Sequence, residues 1–254
     1  MTAVLRTAGL SVRYGGVSAL TEVDVTVEPG ELVGLIGPNG AGKTTFIDAV
    51  TGFARSSGAV ELNGRNLAGS PAHARARHGL ARTWQAAELF DDLSVRENLV
   101  VAAGRPGLRR TVRELLRGRG EGAAAADDVL DRLGLTALAD AEPHQLSQGQ
   151  RKLVGVARAL AGRPALLCLD EPAAGLDSTE STELGKHLRS VVDNGTPMLL
   201  IDHDMGLVLS VCDRVVVLDF GRVIADGPPA EIRTDPRVLA AYLGGATTPR
   251  EVTQ

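Results

Sequence analysis

The sequence predicts an α/β fold: a core of buried strands and covering helices, an antiparallel β subdomain at the N-terminus, and an inserted helical subdomain. Three observations carry that prediction. An apolar run at 32–36 leads into GPNGAGKTT at 37–45 and then into a helix-like run at 45–50, which is a strand–loop–helix unit. Two more runs, ALLCL at 165–169 and PMLLI at 197–201, are nearly continuous in apolar residues, as strands buried on both faces are. Residues 1–30 instead alternate with a period of two, and from 86 to about 145 the character changes, with glycines and arginines clustered at 104–122 between short helical patterns. The expected layout is a core of 1–85 and 150–254 interrupted by a helical insert at about 86–149.

The whole-chain quantities narrow the function classes. A length of 254 residues suits one large domain or one core with an inserted lobe, and 44% apolar content supplies its interior. The formal net charge of −4 gives a nucleic-acid partner no support, and 3% aromatic residues argue against base-stacking platforms. Cys168 and Cys212, both in apolar surroundings, read as buried thiols in a reducing compartment. The first sixteen residues hold no stretch suited to a signal peptide, and no run of about 18 apolar residues exists, so no membrane span is expected.

Taken in order, Leu10, Val12 and Tyr14 alternate on one strand, and Val23, Val25 and Val27 on the next, which Pro29 and Gly30 close. Tyr14 stands at a strand end before Gly15 and Gly16, where a ring can be an ordinary strand-end aromatic or can stack on a purine. In the loop–helix unit, Phe46, Ile47 and Val50 share a face and Gly52 is a C-cap candidate. A short strand at 59–62 ends in the turn Asn63–Gly64. Residues 71–84 carry His73, Arg75, Arg77, His78 and Arg82, whose spacing suits no metal and reads as a solvated helix face. Gln85 follows. The six arginines between Arg105 and Arg119 read as a solvated face or a docking surface for acidic headgroups or a partner. Helical patterns lie at 112–117 and 124–133. Ser147 sits at an N-cap position before a helix with Leu153, Val154, Val156, Ala157 and Leu160 on one side, stopped by Gly162 and Pro164. After PAAGLD at 172–177 comes a helix with Leu184, Leu188, Val191 and Val192. A hairpin is expected at 214–226, a helical tail at 229–243 and a frayed end.

The chemistry concentrates at a few places. Gly37, Gly42, Lys43 and Thr44 fit G-x-x-x-x-G-K-[ST]. In that pattern glycines turn backbone N–H groups toward phosphate oxygens, and the helix N-terminus adds positive potential. Lys43 reaches the outer phosphates and the Thr44 hydroxyl ligates Mg²⁺. Ligands of parallel sheets bind at the carboxyl ends of strands, which is where Asp170, Glu171, Asp202 and His203 emerge. The first acid of such a pair associates with Mg²⁺ and the second is placed to polarise an attacking water.

Five separated pieces therefore stand in one order: GPNGAGKTT, Gln85, LSQGQ at 146–150, LLCLDEPAAGLD at 166–177, and His203. Together they resemble the ATP-binding cassette of ABC transporters across essentially the whole chain. LSQGQ is similar to the family signature LSGGQ, with Gln148 at its most variable position. The resemblance implies a P-loop NTPase (RecA-like) core and roles residue by residue. ATP and Mg²⁺ would be held by Gly37, Pro38, Asn39, Gly40, Ala41, Gly42, Lys43, Thr44 and Thr45, with Tyr14 on the adenine. Thr44, Gln85 and Asp170 would attend the metal, and Gln85 would couple to a membrane partner. Glu171 would be the general base, His203 the switch histidine on the γ-phosphate, and Asp177 an acid across a dimer interface. Ser147, Gly149 and Gln150 would serve ATP held by an opposite subunit, so two cassettes, copies or paralogues, would pack head-to-tail.

GLARTWQAAELFDDLSVRENL at 79–99, DHDMGLV at 202–208 and DPRVLAAYLG at 235–244 resemble the branch that energises branched-chain amino acid importers. Trp84 replaces the usual Phe there, and the insert at 105–127 is short and rich in Arg and Gly. The implied setting is peripheral, on the cytoplasmic face of the membrane beside permease subunits, with no nucleic acid expected. Alternatives are a cassette for urea, amides or another small solute, and a soluble ABC-type ATPase acting on nucleic acid or ribosomes. A single cassette, no long coiled-coil insert and an acidic balance weigh against the soluble ATPase. A P-loop kinase has no use for LSQGQ.

Overall fold

A computed structural model describes residues 2–83, 89–104 and 121–244. Its centre is a six-stranded sheet in the order β10-β9-β3-β8-β7-β6. Strands β3 (Leu32–Ile36), β6 (Leu80–Arg82), β7 (Leu166–Asp170), β8 (Met198–Ile201) and β9 (Arg214–Asp219) run parallel, and β10 (Arg222–Gly227) closes one edge antiparallel. The runs at 32–36 and 166–170 are apolar throughout because both faces of this sheet are covered. Alternate residues of each strand enter different cores. Leu32, Ile36, Leu167, Leu169, Leu200 and Val217 join the helical side. Val33, Leu35, Cys168, Ile201, Val216 and Leu218 join the side that faces a second sheet.

That second sheet, in the order β2-β1-β4-β5, is antiparallel: β1 (Leu5–Tyr14), β2 (Val17–Val27), β4 (Ser57–Leu62) and β5 (Arg65–Asn66). Its Leu10, Val12, Val23, Val25 and Val27 point inward, which is the expected alternation. Helix α1 (Lys43–Thr51) is covered by this layer through Phe46, Ile47 and Val50, and Gly52 ends it in the left-handed region at φ 85°.

On the other side lie α3 (Val95–Ala103), α4 (Glu121–Arg132) and α5 (Gln148–Ala161), packed on one another, then α6 (Ser178–Asp193) and α7 (Met205–Val211). The helix read at 124–133 is the latter part of α4. The pattern at 112–117, the arginine run, Trp84, Gln85 and the last ten residues lie outside the described residues. No described helix is long and apolar enough to cross a membrane.

Two readings are corrected. Residues 71–84 are not one solvated helix face. Helix α2 (Ala72–Arg77) is a short helix whose Arg75 is 4% exposed, and Arg82 belongs to strand β6. The density of charge misled because both arginines are consumed by partners distant in the chain or on other elements. The guanidinium of Arg75 donates to the carbonyls of Ala49 (2.8 Å) and Val50 (2.7 Å) at the end of α1, and to Ser70 (2.9 Å). The tail is likewise two helices, α8 (Pro229–Ile232) and α9 (Pro236–Gly244), because Pro236 cannot continue the first.

Candidate nucleotide site

The parallel register brings the predicted groups to one edge. Leu35 pairs with Ile201, and Ile201 with Asp170, so 36–37, 171 and 202 all follow the same row of the sheet. The loop after β3 is shaped by its glycines. A Cβ on Gly37 would stand 2.1 Å from the Leu218 carbonyl oxygen, and one on Gly42 would meet the Leu20 side chain at 2.8 Å and the Ala19 carbonyl at 2.9 Å. Gly42 is also the N-cap of α1, at φ 105°, with no side chain capping it. The first N–H groups of α1 are thus left for an anion.

Lys43 is buried and folds back on the loop, donating from Nζ to the carbonyls of Gly37 (2.7 Å) and Pro38 (3.1 Å). Burial pulls its ammonium below the ordinary lysine value, and the charge of Glu171 opposes that shift. Lys43 and Glu171 therefore share one electrostatic site. Glu171 is held at φ 48°, a conformation non-glycine residues seldom adopt, with its N–H donating to the Ile201 carbonyl at 2.7 Å. His203 is exposed, with Nδ1 4.0 Å from Glu171 Oε2 and 3.6 Å from Asp202 Oδ1. Asp202 is buried and structural, accepting from the N–H groups of Ala173 (3.0 Å) and Asp204 (2.9 Å).

Asp170 is tied to Arg82 at 2.7 Å. Sequence reasoning missed Arg82, since 88 positions separate the pair. The donors fit magnesium in their chemistry: the Thr44 hydroxyl and the Asp170 carboxylate are hard oxygens, and magnesium takes few protein ligands beside phosphates and water. Among the described residues no group of three or more His, Cys, Asp or Glu could hold a metal by itself.

The remaining predicted residues are engaged with local partners of their own. Tyr14 is exposed and closes the β1–β2 hairpin opposite Val17. Ser147 and Gln150 form a capping box at the start of α5, with Ser147 Oγ accepting the Gln150 N–H at 3.2 Å and Gln150 Oε1 accepting the Ser147 N–H at 2.9 Å. Gly149 faces Glu180, where a Cβ would stand 3.3 Å from a carboxylate oxygen. Asp177 caps α6 by accepting from Thr179 and Glu180, both at 2.8 Å. A residue not expected at the site is Tyr242 on α9. Burial raises its phenol, and a backbone hydrogen bond from Gly37 works against that rise.

Comparison with known proteins fits this geometry. The ABC transporter family matches residues 20–174, more than half of the chain. The chain belongs to the ABC transporter family. A second match, to the branched-chain amino acid ATP-binding cassette transporter family, covers residues 222–247 and so includes all of α9 of this cassette. The cassette is 39% identical to the high-affinity branched-chain amino acid transport ATP-binding protein BraF of Pseudomonas aeruginosa, over 96% of this chain and 98% of that one. It is 38% identical to LivG of Escherichia coli, a protein of the same description, with the same coverage. It is also 36% identical to LptB of Escherichia coli, the ATP-binding protein of a lipopolysaccharide export system, over 95% and 98%. Among solved structures, a nucleotide-free ATP-binding cassette from an ABC transporter superposes with a TM-score of 0.82 at 29% identity, covering 95% of this chain and 99% of that one. The ADP conformation of such a cassette gives 0.83 at 29%, covering 96% and 100%.

Proposed function

We propose that this cassette binds and hydrolyses ATP to energise an importer of branched-chain amino acids. The observation that carries the catalytic half is the meeting of Lys43, Glu171 and His203 at the carboxyl edge of one parallel sheet, beside an uncapped helix N-terminus. The solute class rests on BraF, LivG and the match at 222–247. The relationship to LptB gives a second reading, an export ATPase, and the match at 222–247 favours the importer.

In this reading Lys43 leaves the carbonyls of Gly37 and Pro38 for the outer phosphates of ATP. The exchange relieves a buried ammonium of two neutral acceptors and gives it charged ones. The N–H groups from Gly40 to Thr45 surround the phosphates, and Tyr14 lies under the base. Thr44 and Asp170 would hold magnesium, which would supply neutralisation of phosphate charge, and Gln85, outside the described residues, is assigned to the same ion by its motif alone. Glu171 accepts the proton of the attacking water, and His203 donates to the γ-phosphate. The work of the site is positioning and charge stabilisation.

Ser147, Gly149, Gln150 and Asp177 form a second half-site for ATP bound to another cassette, a copy or a paralogue packed head-to-tail. Residues 86–149 act as the inserted unit, and the assembly sits peripherally on the cytoplasmic face against permease subunits.

The test is Glu171→Gln run on a sizing column with and without Mg-ATP. Binding survives the loss of the base, so a shift from monomer to dimer on ATP is expected. If the chain stays monomeric although a separate titration shows ATP bound, self-pairing is refuted.

A further inference from the structure

Arg82 sits where three elements around the site meet. Its side chain is 6% exposed. Nη1 donates to Asp48 Oδ1 at 2.5 Å and Nη2 donates to Asp170 Oδ2 at 2.7 Å. Asp48 belongs to α1, the helix that opens at the phosphate loop, and Asp170 ends β7. Strand β6, which carries Arg82, runs directly into the segment that holds Gln85. The neighbouring Thr83 closes the same corner, its N–H donating to the Cys168 carbonyl at 2.9 Å and its hydroxyl accepting the Asp170 N–H at 3.4 Å. The Phe53 ring covers the guanidinium, 5.9 Å from Cζ to centroid.

Two carboxylates on different elements need a planar, forked cation between them. A lysine is a point charge and cannot hold two acceptors in fixed directions. Without the fork, Asp48 and Asp170 would repel and the Asp170 carboxylate could turn.

We propose that Arg82 is a positioning residue: it occupies one oxygen of Asp170 and ties it to Asp48, so that the other oxygen is presented to magnesium in one orientation. The proposal rests on the reading of Asp170 as the metal-associated acid. Groups that orient a metal's acid commonly change metal affinity about 10- to 100-fold when removed. Simple charge removal has the opposite sign, because losing a nearby cation should tighten magnesium.

The experiment is equilibrium binding of a fluorescent, non-hydrolysable ATP analogue to the full chain, in EDTA and across a magnesium titration. For Arg82→Gln the affinity in EDTA should stay within about twofold, and the magnesium concentration at half effect should rise about tenfold. Arg82→Lys, which keeps the charge but not the fork, should rise in the same direction. An unchanged or lower half-effect concentration in Arg82→Gln overturns the proposal. Asp170→Asn separates the two ideas. If it leaves the magnesium dependence unchanged, the reading of Asp170 has failed. If it shifts that dependence and Arg82→Gln does not, only the role of Arg82 has failed. Should Arg82→Gln not fold, Arg82→Lys carries the test, since it keeps the charge and loses only the fork: a rise of about threefold supports the proposal and no rise overturns it.

Discussion

Replacing Arg75 with methionine should weaken the whole cassette although Arg75 touches no nucleotide. The guanidinium is buried under α2 and donates to three carbonyls, two of them in the last turn of α1. Hydrogen bonds from a charged group contribute about 1.5–3 kcal/mol each, so three give roughly 4–9 kcal/mol gross. Against this stands the cost of burying the cation, seen in the downward pull on its pKa. Methionine removes both terms but leaves the carbonyls without donors, at about 1–3 kcal/mol each. A cation at the negative end of α1 also loses up to ~2 kcal/mol of dipole interaction. A net loss of about 3–5 kcal/mol is reasonable, and at about 2–4 °C per kcal/mol for a chain of this size the melting midpoint should fall by roughly 10 °C. Arg75→Lys should recover part of it, since an ammonium can reach one or two of the carbonyls. The assay is thermal unfolding followed by circular dichroism, with nucleotide affinity measured well below the transition. A fall of less than about 2 °C in Arg75→Met would refute the reasoning, because it would mean that water replaces the guanidinium at no net cost.

Other outcomes follow from the same structure. Lys43→Ala should lower ATP affinity at least about tenfold in a titration, through loss of charge-assisted bonds to phosphate; unchanged affinity would remove Lys43 from the site. Ser147→Ala should cost about 1 kcal/mol of stability from the lost cap of α5, and should also prevent the ATP-dependent dimer in the Glu171→Gln background. A stability loss with dimerisation intact would leave Ser147 as a cap alone. Acid should loosen the start of α9. Hydrogen bonding from Arg237 depresses the Asp235 carboxyl to about 2, from 3.8. A depressed carboxyl contributes stability above its unfolded value, and that contribution is lost as the pH falls from about 4 toward 2. Hydrogen exchange at 236–244 should rise over that window and not in Asp235→Asn.

Much of this was legible in the sequence because the relevant signals are local. Period-two alternation at Val23, Val25 and Val27, continuous apolar runs at 32–36 and 166–169, and the glycines of 37–42 each declare their own conformation. What stayed hidden was pairing across distance. Nothing near Arg82 announces Asp170 or Asp48, and nothing near Arg75 announces the end of α1, so both arginines read as solvated. Helix α7 is only seven residues long, and its Leu and Val positions fit a strand as well as a helix until Asp204 is seen to cap it through the Leu207 N–H. Tyr242 approaches Gly37 from the far end of the chain, a contact that no spacing rule encodes. The capping boxes at Ser147 and Asp177 show a further limit. The residues that build a helix start are the same ones that an ATP-sharing partner would use, so motif and cap coincide.

The two cysteines have a practical meaning for following this molecule in motion. Cys168 lies in the interior of β7, where burial pushes its thiol up to about 12, and Cys212 at the end of α7 is raised for the same reason. Both thiols are held in the protonated form at neutral pH, and only the thiolate attacks alkylating dyes. The natural cassette is thus a dark background for thiol chemistry. A single exposed cysteine placed on the β1–β2 turn or at the start of α5 could carry a spectroscopic probe with both natural thiols left in place.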